Sequence, residues 1–280
     1  MPVIDRDGFR LNFQDAGSGV PVVLIMGSGG SGRSWHLYQV PALVAAGYRV
    51  ITFDNRGVSP DDNSRADFTV DDMAADVAAL IEHLGLGPCA VVGTSLGARI
   101  AAELALARPE LVNRLVMLAA RGRGDALSTE LSLAERELDD LGIALPARYR
   151  AVIHALQQLS RRTLTDDLRT KDWLELFELS TSTDATARVQ RGLYPMPDRL
   201  PAYRAIQAPS HVIAFADDVL TPPLAGRELA TAIPGATFQL IEGAGHIGYL
   251  EVPEIVNRAL LEALGSGGTV PREPEAHHAV

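Results

Sequence analysis

The sequence predicts a doubly wound α/β fold: a mainly parallel sheet with an inserted helical cap. Three observations carry that reading. Short β-branched runs alternate with helical stretches along most of the chain. One segment, residues 122–205, breaks the alternation with successive helical patterns and no strand between them. The run Val91-Val92-Gly93-Thr94-Ser95-Leu96-Gly97 drives apolar strand formers straight into a helix. With 280 residues and 47% hydrophobic content, the chain suits one α/β domain carrying an insertion better than two independent domains.

Val3-Ile4 and Leu11-Asn12-Phe13, separated by Asp7-Gly8, predict an opening hairpin. Strands follow at Val22–Met26, Arg49–Phe53, Ala90–Val92, Leu115–Leu118, His211–Phe215 and Thr237–Ile241, all short enough for buried strands. Helices fall between them at Leu37–Ala46, Val70–Leu84, Ala98–Ala107, Leu224–Ala232 and Pro253–Leu264. The inserted segment holds helical patterns at Ser128–Leu141, Ala147–Leu159 and Lys171–Leu179. This divides the chain into a core, residues 1–121 and 206–264, and a helical cap, residues 122–205. Residues 265–280 are polar, rich in glycine and proline and without periodicity, which predicts a disordered tail.

Charge and cysteine usage narrow the function. A net charge of −10, with no Lys/Arg-rich run, argues against nucleic acid as a partner. Cys89 is the only cysteine, so neither an internal disulfide nor a multi-thiolate metal site can form. The opening Met-Pro-Val-Ile-Asp-Arg-Asp has no secretory pattern, and nowhere do 18 apolar residues run together, so a cytoplasmic protein without membrane contact is expected. No His-x-x-x-His spacing occurs, and the Gly27–Gly32 run lacks a Walker lysine. The expected partner is a small-molecule substrate, with no metal and no cofactor.

Gly93-Thr94-Ser95-Leu96-Gly97 between strand and helix reads as a nucleophile elbow, in which Ser95 takes a strained backbone conformation. Gly93 and Gly97 remove side chains that would collide with the neighbouring strand and helix. A serine hydroxyl attacks only when its proton is removed, so a histidine and a carboxylate should lie downstream. His246 sits in a glycine-rich turn between the last strand and the final helix. Asp217 and Asp218 both follow the strand His211–Phe215 at its carboxyl end, the edge where open α/β sheets place ligands. His83 and His154 read as packing or surface residues; His36, close to the oxyanion loop, could touch substrate, but opening a helix in Ser34-Trp35-His36 it reads first as structural. The Asp54-Asn55-Arg56-Gly57 turn reads as structural, its arginine pairing with acidic neighbours.

From the opening hairpin to about Leu264 the chain resembles α/β-hydrolase fold enzymes. Four features carry the resemblance: Leu24-Ile25-Met26-Gly27-Ser28-Gly29-Gly30 after an early strand, Phe53-Asp54-Asn55-Arg56-Gly57 after the next, Gly93–Gly97, and the order Ser95, Asp218, His246. Asp218-Val219-Leu220-Thr221-Pro222 resembles the family's Asp-x-x-x-Pro element, which implies Asp218 as the triad acid and Asp217 as a turn residue. The resemblance likewise implies an oxyanion hole formed by the backbone N–H groups of Ser28 and Leu96. The pattern is most similar to the capped esterase, lactonase and cofactor-free haloperoxidase branch, including methylesterases of polyketide tailoring. Two positions depart from it: Met26 stands where histidine is common, and Phe215 where glycine is common before the acid.

The activity implied is hydrolysis of an ester or lactone of a small-to-medium apolar substrate through an acyl-enzyme. Thioesterases, C–C hydrolases and cyclases use the same triad, and a hydrolase-like receptor would keep it as a vestige. Aspartate-nucleophile dehalogenase or epoxide hydrolase chemistry is disfavoured by Ser95. The cap supplies Tyr149, Trp173, Phe177 and Tyr194, which suit an apolar substrate.

Overall fold

The structure is a computed structural model and describes residues 2–6, 9–58, 68–179, 190 and 193–265. The Asp7-Gly8 turn and residues 266–280 of the tail lie outside the described residues. Eight strands form one sheet: β1 (Val3–Arg6), β2 (Phe9–Ala16), β3 (Val20–Ile25), β4 (Tyr48–Phe53), β5 (Cys89–Thr94), β6 (Val112–Leu118), β7 (Ser210–Phe215) and β8 (Thr237–Ile241). Their spatial order is β1-β2-β4-β3-β5-β6-β7-β8. The β1/β2 and β2/β4 pairs are antiparallel. All other pairs are parallel.

Alternation along the strands feeds two apolar layers. Val23, Ile25, Val91, Leu115 and Met117 pack with α2 (Val70–His83), α3 (Leu96–Ala107) and α9 (Pro223–Ala232) on one face. Val22, Leu24, Val92, Val116 and Leu118 pack with α1 (Gln39–Ala45) and α10 (Pro253–Leu264) on the other. Both faces of the central strands are therefore covered, which is why their sequences are apolar throughout. No described helix is long and apolar enough to cross a membrane.

One predicted helix is corrected. The pattern at Leu37–Ala46 resolves into a 3₁₀ turn, Gly32–Leu37, and a separate α1 beginning at Gln39. Ser31 opens the 3₁₀ turn by accepting the Arg33 N–H, and Tyr38, at φ −142°, breaks the two apart. Proline is tolerated only in the first turn of a helix, so Pro41 pins the start of α1 close by.

Between β6 and β7 run α4 (Ala126–Asp140), α5 (Ala147–Gln158), α6 (Arg161–Leu164), α7 (Asp167–Leu179) and α8 (Leu200–Tyr203), with no strand among the described residues. The return to the sheet is fixed on α3. Arg199 donates from Nε and Nη2 to the Glu103 carboxylate at 2.7 and 2.6 Å, and the buried Tyr203 hydroxyl donates to it at 2.9 Å.

Candidate active site

Ser95 occupies the turn from β5 to α3 with φ 54° and ψ −117°, a region that costs a non-glycine residue conformational energy. Backbone bonds hold it there: its N–H donates to Leu118 O at 3.0 Å, and its carbonyl accepts the Ala98 N–H at 3.0 Å. A Cβ on Gly93 would lie 2.2 Å from Gly97 O, and one on Gly97 would lie 2.2 Å from Ile25 O. Only glycine fits at either position. Ser95 stays half-buried while its flanks are fully buried.

The loop after β3 lies against this turn. A Cβ on Gly27 would approach Ser95 Cβ to 3.2 Å, so the loop passes directly beside the serine. Asn55 Nδ2 donates to Met26 O at 2.8 Å, and Asp54 Oδ1 accepts from Ser31 Oγ and the Gly32 N–H at 2.8 and 2.9 Å. Ser28 is exposed in this loop, and Leu96 is the first residue of α3, where backbone N–H groups have no intrahelical acceptor. Gln190, fully buried, accepts the Gly29 N–H at 2.7 Å and donates to Arg56 O at 2.6 Å. Sequence reading missed Gln190, because nothing local marks a glutamine that bridges loops 161 and 134 residues away.

At the carboxyl ends of β7 and β8, His246 Nδ1 lies 2.8 Å from Asp218 Oδ2, with Asp218 fully buried and the imidazole 9% exposed. Asp218 is held from all sides. Its Oδ1 accepts the Leu220 and Thr221 N–H groups at 2.9 and 2.8 Å, and Oδ2 also accepts from Thr221 Oγ1 at 2.5 Å. Four acceptor positions are thus filled, and the carboxylate can turn neither away from the ring nor toward solvent. The adjacent Asp217 instead accepts the Arg161 N–H at 3.1 Å.

The loop carrying His246 is fixed to the corner between α5 and α6. Glu251 accepts from Gly245 N at 2.7 Å, Ser160 Oγ at 2.8 Å, Ser160 N at 2.9 Å and Thr163 Oγ1 at 2.6 Å. Ile247 N donates to Gln158 O at 3.3 Å. A Cβ on Gly245 would fall 2.5 Å from Gln158 O, so the two backbones touch.

The remaining candidates make the following contacts. Arg56 pairs with the buried Asp76, Nη2 to Oδ1 at 2.7 Å. His36 Nε2 contacts Thr52 Oγ1 at 2.9 Å, and burial holds its pKa below the ordinary imidazole value. His83 packs edge-on against Phe13, and His154 against Phe177. Trp173 and Phe177 pack on each other at 5.5 Å, while Tyr149 is largely exposed. Among the described residues no group of three or more His, Cys, Asp or Glu side chains gathers to hold a metal ion.

Comparison with known proteins bears on the same features. The α/β-hydrolase fold family profile matches residues 20–253. A Mycobacterium tuberculosis protein named "Putative non-heme bromoperoxidase BpoC" is 49% identical over 258 residues, covering 92% of this chain and 98% of that one. Its crystal structure superposes with a TM-score of 0.88 at 48% identity, covering 92% and 97% of the two chains. "Putative carbamate hydrolase RutD" of Caulobacter sp. is 31% identical over 87% of this chain and 90% of that one. A thermophilic esterase from Thermogutta terrifontis, solved with malate bound, gives a TM-score of 0.78 at 26% identity, covering 93% and 95%. A strand order with two antiparallel strands at one edge, a serine on the β5–α3 turn and hydrolase relatives along nearly the whole length lead to one conclusion: the chain belongs to the α/β-hydrolase family, and BpoC places it beside the cofactor-free haloperoxidase-like branch.

Proposed function

We propose that this protein is a serine hydrolase cleaving a carboxylic ester or lactone of a small-to-medium apolar substrate through an acyl-enzyme. One combination carries the reading: a serine held at positive φ between strand and helix, and a buried imidazole bonded through Nδ1 to a buried carboxylate at the same sheet edge. Ser95 Oγ attacks the carbonyl carbon while His246 Nε2 takes its proton. Asp218 accepts from Nδ1–H, which leaves Nε2 as the basic nitrogen. The N–H groups of Leu96 and Ser28 receive the oxyanion, each contributing on the order of 10²–10³ in rate. His246 then protonates the leaving alcohol and activates the water that releases the acid. Every proton moved is carried by Ser95, His246, water or the alcohol, so the cycle uses no cofactor.

The segment from residue 122 to 205 acts in this reading as a cap over the site. The α5–α6 corner supports it, since Arg161, Gln158 and Ser160 bond to Asp217, to the His246 loop and to Glu251. The name of the Thermogutta esterase is consistent with ester cleavage. The test is turnover of p-nitrophenyl butyrate by Ser95→Ala, expected to fall by about 10⁴-fold or more with the fold intact. A fluorophosphonate should label Ser95 in the wild type and nothing in the variant. Equal activity in the two proteins removes the reading.

A further inference from the structure

Arg99 lies on α3 four residues after Ser95, one turn along the same face, and helical side chains lean toward the N-terminus. A side chain in that position is directed back toward the turn that carries Ser95. Arg99 Nη1 donates to Leu193 O at 3.1 Å, but its Nε is buried with no hydrogen-bond partner. The carboxylate one turn further on, Glu103, is already taken by Arg199 and Tyr203. Among the described residues no carboxylate pairs with Arg99. A guanidinium N–H buried without an acceptor is costly, and a bound anion removes that cost.

A second guanidinium stands nearby. Arg121 follows β6 three residues after Leu118, the residue whose carbonyl receives the Ser95 N–H, and its side chain is 14% exposed. Ala119, between them, is buried at φ 47°, so a strained turn carries the chain from the sheet edge to this arginine. Among the described residues the Arg121 side chain meets only Asp125 Oδ2, at 3.4 Å, and the other oxygen of that carboxylate caps α4 through the Ser128 N–H. The segment carrying Tyr194 runs between them: the Leu193 carbonyl just before it receives Arg99 Nη1, and the Met196 carbonyl two residues after it receives the N–H of Gly124, three residues past Arg121. Burial pushes the Tyr194 phenol pKa up while the charges of Arg121 and Arg99 pull it down, with a smaller opposing push from Glu135.

We propose that Arg99, Arg121 and the Tyr194 hydroxyl form a subsite for a carboxylate at the far end of the substrate's acyl group. The hydrolase would then act on a half-ester or a lactone acid rather than on a wholly apolar ester. This deepens the hydrolase reading and rests on it for the position of the reacting carbonyl. The carboxylate would accept from Arg99 Nε and the Arg121 guanidinium, with the phenol as a third donor.

The test compares p-nitrophenyl monoesters of succinate, glutarate and adipate with p-nitrophenyl butyrate, valerate and hexanoate, with spontaneous hydrolysis subtracted. For at least one length the charged ester should exceed its neutral partner in kcat/KM by about tenfold or more. That ratio should fall by about tenfold in Arg99→Gln and in Arg121→Gln, and Arg99→Lys should recover part of it. Glutarate should also raise the Tm of Ser95→Ala, and should fail to do so once Arg99→Gln is added. A ratio at or below one at every length, or a ratio unchanged in both arginine variants, overturns the subsite and leaves the hydrolase reading standing. Glutarate binding that requires Arg99, without turnover of any ester, keeps the subsite and removes the hydrolase reading. Should Arg99→Gln fail to fold by circular dichroism, Arg121→Gln decides by the same ratio.

Discussion

Replacing Asp218 with asparagine changes one atom where the β7 and β8 loops meet. Its two oxygens serve different partners: Oδ1 accepts two backbone N–H groups, and Oδ2 accepts from the Thr221 hydroxyl and lies 2.8 Å from His246 Nδ1. An asparagine has one oxygen. Placing its NH₂ against the Leu220 and Thr221 N–H groups would oppose donor to donor, so the NH₂ must face His246. The imidazole then presents Nδ1 as an acceptor and carries its proton on Nε2, where it cannot take a proton from Ser95. A tautomer error of this kind costs about 10⁴ in kcat. Losing the charge-assisted bonds at a fully buried site costs about 1.5–3 kcal/mol of stability, and at roughly 2–4 °C per kcal/mol for a chain of this size the Tm should fall by several degrees. Asp217→Asn should stay within about tenfold of wild type, because an amide oxygen can still accept the single Arg161 N–H. Both variants are assayed with p-nitrophenyl butyrate and checked by circular dichroism. A severe loss in Asp217→Asn beside a mild one in Asp218→Asn would refute the pairing logic.

Glu251→Ala removes the acceptor shared by Gly245, Ser160 and Thr163 and frees the His246 loop; kcat on the same ester should fall by about 10²-fold through misplacement of the imidazole, with most of it restored in Glu251→Gln, and wild-type kcat in the alanine variant would show that the loop holds itself. Glu103→Ala strands the buried Tyr203 hydroxyl, whose pKa burial and Glu103 together push up, and should cost about 1–3 kcal/mol in urea unfolding, whereas an unchanged midpoint would mean the network is idle. Burial pushes the Cys89 thiol pKa up to about 12, so the native protein should resist alkylation at pH 8 and titrate one thiol in urea; rapid native labelling would contradict that burial.

The central strands were legible because they are buried on both faces, whereas β8, at the sheet edge, is exposed or half-buried over Thr237–Leu240. Runs such as Val22–Ile25 and Leu115–Leu118 are apolar at every position and bounded by turns, a signal that needs no tertiary knowledge. The stretch at Leu37–Ala46 misled because a 3₁₀ turn followed by a helix leaves much the same i, i+3 pattern as one helix. Ser95 was legible from local chemistry, since the two glycines that its turn demands flank it in sequence. Asp218 was not separable from Asp217 by spacing; the resemblance chose between them, and in the structure Asp218 meets His246 while Asp217 turns to Arg161. Glu251 and Gln190 carried no signal at all. Each reaches partners 88 or more residues away in sequence, from positions where periodicity says nothing about partners.

The two departures from the family pattern are each absorbed by a glycine. Met26 is buried beneath the loop it precedes: a Cβ on Gly30 would strike its Cγ at 2.5 Å, and the Tyr249 hydroxyl reaches its sulfur at 3.6 Å. Phe215, fully buried, occupies the space that a side chain at position 248 would need, because a Cβ on Gly248 would lie 2.5 Å from Phe215 Cε1. Phe215 and Gly248 thus share one space beside His246. If so, Gly248→Ala alone should overpack the site at a cost of about 1–3 kcal/mol, and Phe215→Ala alone should open a cavity at a cost of about 3–5 kcal/mol. Combined, the added methyl enters the space the ring has left, so the double variant should be more stable than the sum of the two losses predicts by about 1 kcal/mol or more. Urea unfolding of the four proteins measures that coupling. Losses that add to within about 0.5 kcal/mol would show that Phe215 and Gly248 do not share the space.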